Sequence, residues 1–330
     1  MLGDFHYHST DSDGKYSNPQ IIEQIQALIE KNDPKHQSVW AMTNHDCYSP
    51  GFVLPARDAG VNAIWATEIS AHSNELDSSL HITCYTPTLS ANIKYWIDRV
   101  LVGKTEKVRQ QVILLASYGF PIDADSFMSW AIAAGYRPIV LSNAHITQYL
   151  FDKTRKDETL RVLKTHTQSS IIDGIHFLDE CLKESGKYKH LGVVEIEPYE
   201  PELSELIHIA EKEDIILSVA HSNFSFHPVY KMAGVNVDAN MRWDYFHSDI
   251  LPVLDDIGIR NYEINAMATL EQATAIHTIV QKRNGLITYG SDNHGKSKTD
   301  AKHGLLGVQN NYLTPEICRP IRDRLMGFIG

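Results

Sequence analysis

At 330 residues, 43% hydrophobic and 22% charged, the chain can build a sizeable core and is excluded from the disordered and small disulfide-scaffold classes. Thirty Lys and Arg against 41 Asp and Glu leave a formal net charge of −11, which argues against a broad basic face for duplex nucleic acid. No apolar run approaches the roughly 18 residues of a membrane span, the opening MLGDFHYHSTDSDG lacks the basic flank and apolar stretch of a secretory leader, and four scattered cysteines without a CxxC pair fit a reducing, cytoplasmic setting.

Taken in chain order, short apolar runs recur, and most lead into residues that can ligate metal. Leu2 to His8 closes on His6 and His8. Pro19 to Ile29 then carries Ile21, Ile22, Ile25, Leu28 and Ile29 at helical spacing, with Ser17 or Asn18 as N-cap. Ser38 to Thr43 leads into Asn44, His45 and Asp46, and Val61 to Thr67 into Glu68. His81 opens the run HITCY. Ala91 to Ser117, Ala124 to Ala134 and Thr154 to Ser169 read as helices, so residues 87–200 form a mostly helical insertion, expected to cap the barrel mouth. Helix Leu203 to Glu213 precedes Ile215 to Ala220, which leads into His221. Residues 222–258 read as a long loop. Asn261 to Asn265 contains Glu263, read as a barrel-mouth residue and not as a ligand. Helix Thr269 to Arg283 precedes Leu286 to Gly290, which leads into Ser291, Asp292, Asn293 and His294.

Runs of four to eight residues rich in Val, Ile, Trp and Tyr read as buried strands, and their alternation with helices predicts a parallel α/β sheet. About two domains would suit the length, and so would one α/β barrel with insertions, formed here by 1–86 and 201–330. Polar residues gathered at strand ends are where such a barrel builds its site.

Nine imidazoles and carboxylates fall at or just after these ends: His6, His8, Asp13, His45, Glu68, His81, His221, Asp292 and His294. Their convergence would be costly without metal, and donors without thiolate suit Zn, Mn or Fe. Nine ligands exceed one ion with open positions, so two or three divalent ions are implied, with Glu68 the natural bridge. In a strand, residues i and i+2 share a face, so His6 and His8 can reach one ion. Asp292 and His294 repeat that spacing at the last strand, which a closed barrel brings beside the first. Asp4 and Asp46 read as partners that orient imidazoles.

The runs DFHYHSTDSDG, YSNP, TNHD (43–46), TEIS (67–70), HITCY (81–85), VAHS (219–222) and GSDNHG (290–295) together resemble the polymerase-and-histidinol-phosphatase (PHP) family. Within it the chain is most similar to the phosphatases of nucleoside 3′,5′-bisphosphates that also trim short RNA from its 5′ end. The resemblance implies a distorted (β/α)7 TIM-like PHP barrel with a trinuclear site. His6, His8, Glu68 and Asp292 would hold one ion, Glu68, His81 and His221 a second, and Asp13, His45 and His294 a third. It also implies hydrolysis of a small phosphorylated substrate by metal-activated water, with Glu68, Asp292 and His221 acting through the metals. Histidinol-phosphate hydrolysis, C–N hydrolysis and a catalytically silent metal module are the competing readings.

Two departures from the family stand out. Its phosphate-binding Arg in the insertion is missing where the chain reads Ser142-Asn143-Ala144-His145, and the Arg that often follows the AHP motif is absent around Asn223 to Phe226. The ligand set is untouched by either change. His145, His227, Lys296 and His303 are the candidates to contact substrate instead.

Overall fold

The computed structural model describes residues 3–33, 35–167, 171–183, 186–196, 199–222, 246–295 and 303–329. The chain divides into two compact units. Described residues 3–98, 200–222, 246–295 and 303–329 make the first unit, and described residues from 99 to 199 make the second.

In the first unit the strands are β1 (Gly3–Asp4), β2 (Val39–Ala41), β3 (Ala63–Ser73), β4 (Ser78–Thr86), β5 (Ile216–Val219), β6 (Tyr262–Asn265) and β7 (Ile287–Gly290). They form one sheet in chain order. Its two edges then meet. Phe5 N donates to Tyr289 O at 3.1 Å, Asp292 N to His6 O at 2.7 Å and His8 N to Asn293 O at 2.8 Å. Together with the bridge between Tyr7 and Asn293, these bonds nearly close a seven-stranded α/β barrel of the TIM-like PHP type.

The sheet is not wholly parallel, against the expectation from alternation. β4 runs antiparallel to both β3 and β5. Only Asn74 to Asp77 separate β3 from β4, whereas a parallel crossover needs about a dozen residues, so a hairpin is the geometry available. β3 and β4 are also longer than the sequence runs suggest. Glu68 and His81 therefore lie within strands rather than at their ends.

Helices α1 (Asn18–Asn32) and α2 (Pro50–Asp58) follow β1 and β2. Ser17 caps α1 in a capping box with Gln20, and its buried stripe is Ile21, Ile22, Ile25 and Ile29. That stripe packs with Tyr7, Trp40 and Phe52. α3 (Ala91–Ser117) leads from the first unit into the second. There α4 (Ala124–Ala133), α5 (Asn143–Leu150), α6 (Lys156–His166) and α7 (Gly174–Cys181) share a core that includes Leu115, Phe127, Leu150, Phe177 and Leu191. The first unit continues with α8 (Leu203–Glu213), α9 (Leu251–Asp256), α10 (Leu270–Lys282) and α11 (Pro315–Met326). The long loop expected over 222–258 is helical from Phe246 to Asp256, a π turn running into α9, and residues 223–245 lie outside the described residues.

α11 sets Cys318, Ile321 and Leu325 against Phe5, Val39, Ile64 and Tyr289. No helix among the described residues is long and apolar enough to cross a membrane.

Candidate metal centre

All nine residues singled out by sequence converge in the first unit. His6 and His8 follow β1 on either side of buried Tyr7, with ring centroids 5.2 Å apart. Glu68 lies at the middle of the group and is wholly buried. Its Oε2 is 3.3 Å from His6 Nε2, 3.4 Å from His8 Nε2 and 2.9 Å from His45 Nδ1. Its Oε1 is 3.0 Å from both His81 Nδ1 and His221 Nε2. Asp292 Oδ1 faces His8 Nε2 at 3.2 Å and His6 Nε2 at 3.5 Å. Asp13 Oδ1 faces His294 Nε2 at 3.1 Å and His45 Nε2 at 3.8 Å.

The backbone turns sharply to bring these groups inward. Asp46, His221 and Asp292 have φ of 47°, 33° and 51°, left-handed values that few residues other than glycine adopt. Each lies just beyond a predicted strand end, where local strain is held by the surrounding structure.

The donor set fits metal. His6 Nε2, His8 Nε2 and Glu68 Oε2 are buried without a well-aligned hydrogen bond among the described residues, although His45 Nδ1 and Asp292 Oδ1 lie close by. Buried polar atoms are rarely left so. Bonds of about 2.0–2.2 Å to a tetrahedral ion put neighbouring ligand atoms about 3.3–3.6 Å apart, longer than an N–H···O bond. The spacings of His6 and His8 from Glu68 are of that kind. Among the described residues, four groups have ligand atoms within 4.8 Å of one another: His6, His8 and Glu68; His45, Glu68 and His81; His8, Asp13, His45 and His294; and Asp292, His294 and His303.

Electrostatics prepares the group in the same sense. Burial, then the neighbouring imidazoles of His294 and His45, holds His8 well below the usual histidine range. Burial also lowers His45, against the pull of Glu68 and Asp13. Burial would lower His6 too, but Glu263, Glu68 and Asp292 outweigh it and raise His6 well above 6.5. Burial opposes ionisation of Glu68 and Asp292, yet the surrounding imidazoles win and hold both carboxyls well below their ordinary range. Ionised carboxylates beside the neutral imidazoles of His8 and His45 suit a divalent cation, whereas His6 must give up a proton to bind one.

Glu263 is the functional residue the sequence reading passes over. Its Oε2 lies 2.6 Å from His6 Nδ1, both side chains fully buried. The carboxylate holds the proton on Nδ1 and leaves Nε2 facing Glu68, the usual way an outer carboxylate orients a ligating histidine. β7 stands between β1 and β6, and its Gly290 makes the approach possible: a Cβ there would lie 2.1 Å from His6 Cβ. The only sequence signal was a lone carboxylate inside an apolar strand. His294 is oriented similarly, with Nδ1 donating to the Asp292 carbonyl at 2.9 Å so that Nε2 faces Asp13.

Asp4 and Asp46 hydrogen-bond to backbone amides and serine hydroxyls. Asp4 accepts from the amides of His6, Ser291 and Gly307 and from Ser291 Oγ, tying β1 to the segment after β7. Asp46 accepts from Ser70 N and Ser70 Oγ, fixing the His45 turn to β3.

Of the four substrate-contact candidates, His145 is buried in the second unit, where its ring closes the N-terminal capping box of α5 with Ser142 and packs edge-on to Tyr136. His303 lies beside the centre, its Nε2 3.5 Å from Asp292 Oδ2. His227 and Lys296 lie outside the described residues.

A TIM-like PHP barrel with a His- and carboxylate-rich mouth is the class this fold defines. Among solved structures, the chain is similar over 97% of its length to 95% of a protein from Bifidobacterium adolescentis provisionally described as a metal-dependent phosphoesterase, with TM-score 0.65 and 19% identity. It is also similar over 98% of its length to 96% of an amidohydrolase from Chromobacterium violaceum solved with bound sulfate and no metal, with TM-score 0.63 and 17% identity. No protein-family model matches the chain, and no curated protein does. At these identities the likeness is one of fold.

Proposed function

We propose that the chain is a metal-dependent phosphoesterase. The observation that carries this reading is the buried triplet of His6 Nε2, His8 Nε2 and Glu68 Oε2, spaced like ligands and without well-aligned hydrogen bonds among the described residues. His6, His8, Glu68 and Asp292 would hold one ion, Glu68, His81 and His221 a second, and Asp13, His45 and His294 a third. The separate faces of the Glu68 carboxylate support its place as the bridge. When bound, two or three divalent ions (Mn, Zn or Fe) would supply Lewis-acid charge for phosphoryl oxygens and lower the pKa of water to near neutrality.

The chain's own groups do the positioning. Glu263 fixes the proton on His6 Nδ1, and the Asp292 carbonyl fixes that on His294 Nδ1. His81, 40% exposed at its side chain, and His45 at 23% form the more open side, where a substrate can approach. Charge of this sign also lets an acidic protein receive an anion.

The finer reading is a nucleoside 3′,5′-bisphosphate, or the 5′ end of short RNA, as substrate. The test is orthophosphate release by Mn-loaded protein from adenosine 3′,5′-bisphosphate, AMP, histidinol phosphate and a short 5′-phosphorylated RNA, with Asp292→Ala as control. Preferred turnover of the bisphosphate or the RNA, lost in the variant, is the expected result. The similarity to an amidohydrolase favours C–N hydrolysis as the second reading. Amide turnover without phosphate release would select it.

A further inference from the structure

The nine residues above do not exhaust the donors at this centre. We propose that His303 is a tenth ligand, binding metal through Nε2 beside Asp292 Oδ2. This rests on the metal-centre reading and extends it to a residue on the segment that follows the last strand.

Three observations carry it. First, the two Asp292 oxygens have different neighbours. Its Oδ1 faces His6, His8 and His294, while Oδ2 faces His303 Nε2. Second, the Oδ2 to Nε2 spacing is 3.5 Å, beyond the usual N–H···O range and within the spacing of two ligands on one ion. Asp292, His294 and His303 bring three ligand atoms within 4.8 Å of one another, and the His303 ring stands edge-on to His294 at 4.7 Å. Third, the backbone at His303 is built in place. Gly304 N donates to Ser291 O at 2.6 Å, and Asn293 Nδ2 donates to Gly304 O at 2.8 Å. Gly307 N donates to Asp4 Oδ2, and Asn310 Nδ2 to the Ala268 carbonyl. The His303 side chain is only 10% exposed. A histidine fastened this way is held at the site by hydrogen bonds to the two segments that carry Asp4 and Asp292.

The consequence is that metal joins the segment after β7 to the barrel, and the proposal can be read by spectroscopy without any substrate. In His303→Cys loaded with cobalt(II), a thiolate at position 303 would ligate the ion and give an intense near-ultraviolet sulfur-to-cobalt band absent from cobalt-loaded wild type. In His303→Ala, one class of bound ion should be lost to a competing chelator with affinity weakened about tenfold or more, the scale seen when metal-supporting groups are removed. Circular dichroism of both metal-free variants should match wild type. Equal cobalt content with no sulfur band in His303→Cys overturns the proposal, as does unchanged metal affinity in His303→Ala with only KM raised. If wild type itself takes up no cobalt, the metal-centre reading fails and this one with it, whereas normal uptake with silent variants removes His303 alone.

Discussion

Replacing Glu263 by Gln tests how the centre is positioned, because it changes one buried atom's charge and almost no volume. In the wild type a carboxylate oxygen 2.6 Å from His6 Nδ1 makes a charge-assisted hydrogen bond with neither side chain exposed. The amide can still accept from Nδ1, so the ring keeps its tautomer. It can no longer raise the basicity of Nε2 or balance charge at the centre. Loss of such an outer carboxylate costs about 10- to 100-fold in metal affinity, or roughly 1.4–2.7 kcal/mol. The loss should fall on the ion held through His6, and ions held through Asp13 and His45 should change little. Competition against a metal-sensitive chelator, with bound metal counted by mass spectrometry, reads both. Affinity within about twofold of wild type at every site would refute the argument that Glu263 orients a ligand.

Further outcomes follow from the same geometry. Metal-free protein should lose stability as pH rises above 6.5: the raised pKa of His6 gives stability that is complete below that value and fades as the pH climbs through the folded-state pKa. Below 6.5, the lowered values of His8 and His45 act oppositely, so stability falls as the pH drops. Metal-loaded protein should instead gain stability above 6.5, because ligands must shed protons to bind, and thermal melts across pH with and without EDTA would compare the two slopes. Asp4→Asn should cost about 1–3 kcal/mol in urea unfolding with an unchanged m-value, since an amide in place of Oδ2 leaves the Gly307 N–H without its acceptor. Gly290→Ala should displace His6, lower stability by about 1–3 kcal/mol and weaken the His6-bound ion, seen in the same chelator competition; a variant that binds as tightly as wild type would show that the close approach is dispensable.

The ligand-type residues were legible because each is a polar residue set against an apolar run, a contrast one strand displays without knowledge of its neighbours. HYH and SDNH carried the most, since a closed barrel makes first and last strands adjacent whatever lies between. Glu263 was not legible as a partner of His6. Its role depends on lying one strand away across a glycine, a relation between β6, β7 and β1 that no local pattern records. The antiparallel β4 was missed for a different reason: its apolar run looks like any buried strand, and only the four-residue connection from β3 dictates a hairpin. Asp4 reads as a partner of the His6 and His8 rings because it lies close to them in sequence, whereas the structure sets its carboxylate against backbone amides.

Metal at the Glu68 carboxylate is what the hydrolytic function requires first. Crystals grown with Mn(II) or Zn(II), with data collected above and below the metal edge, would test it in one experiment. Two or three anomalous peaks about 2.0–2.2 Å from His6 Nε2, His8 Nε2, His81, His221 and the two Glu68 oxygens are the expected result. A map with no peak beside Glu68, from protein whose histidines are ordered as described, would contradict the metal centre and the hydrolytic function built upon it.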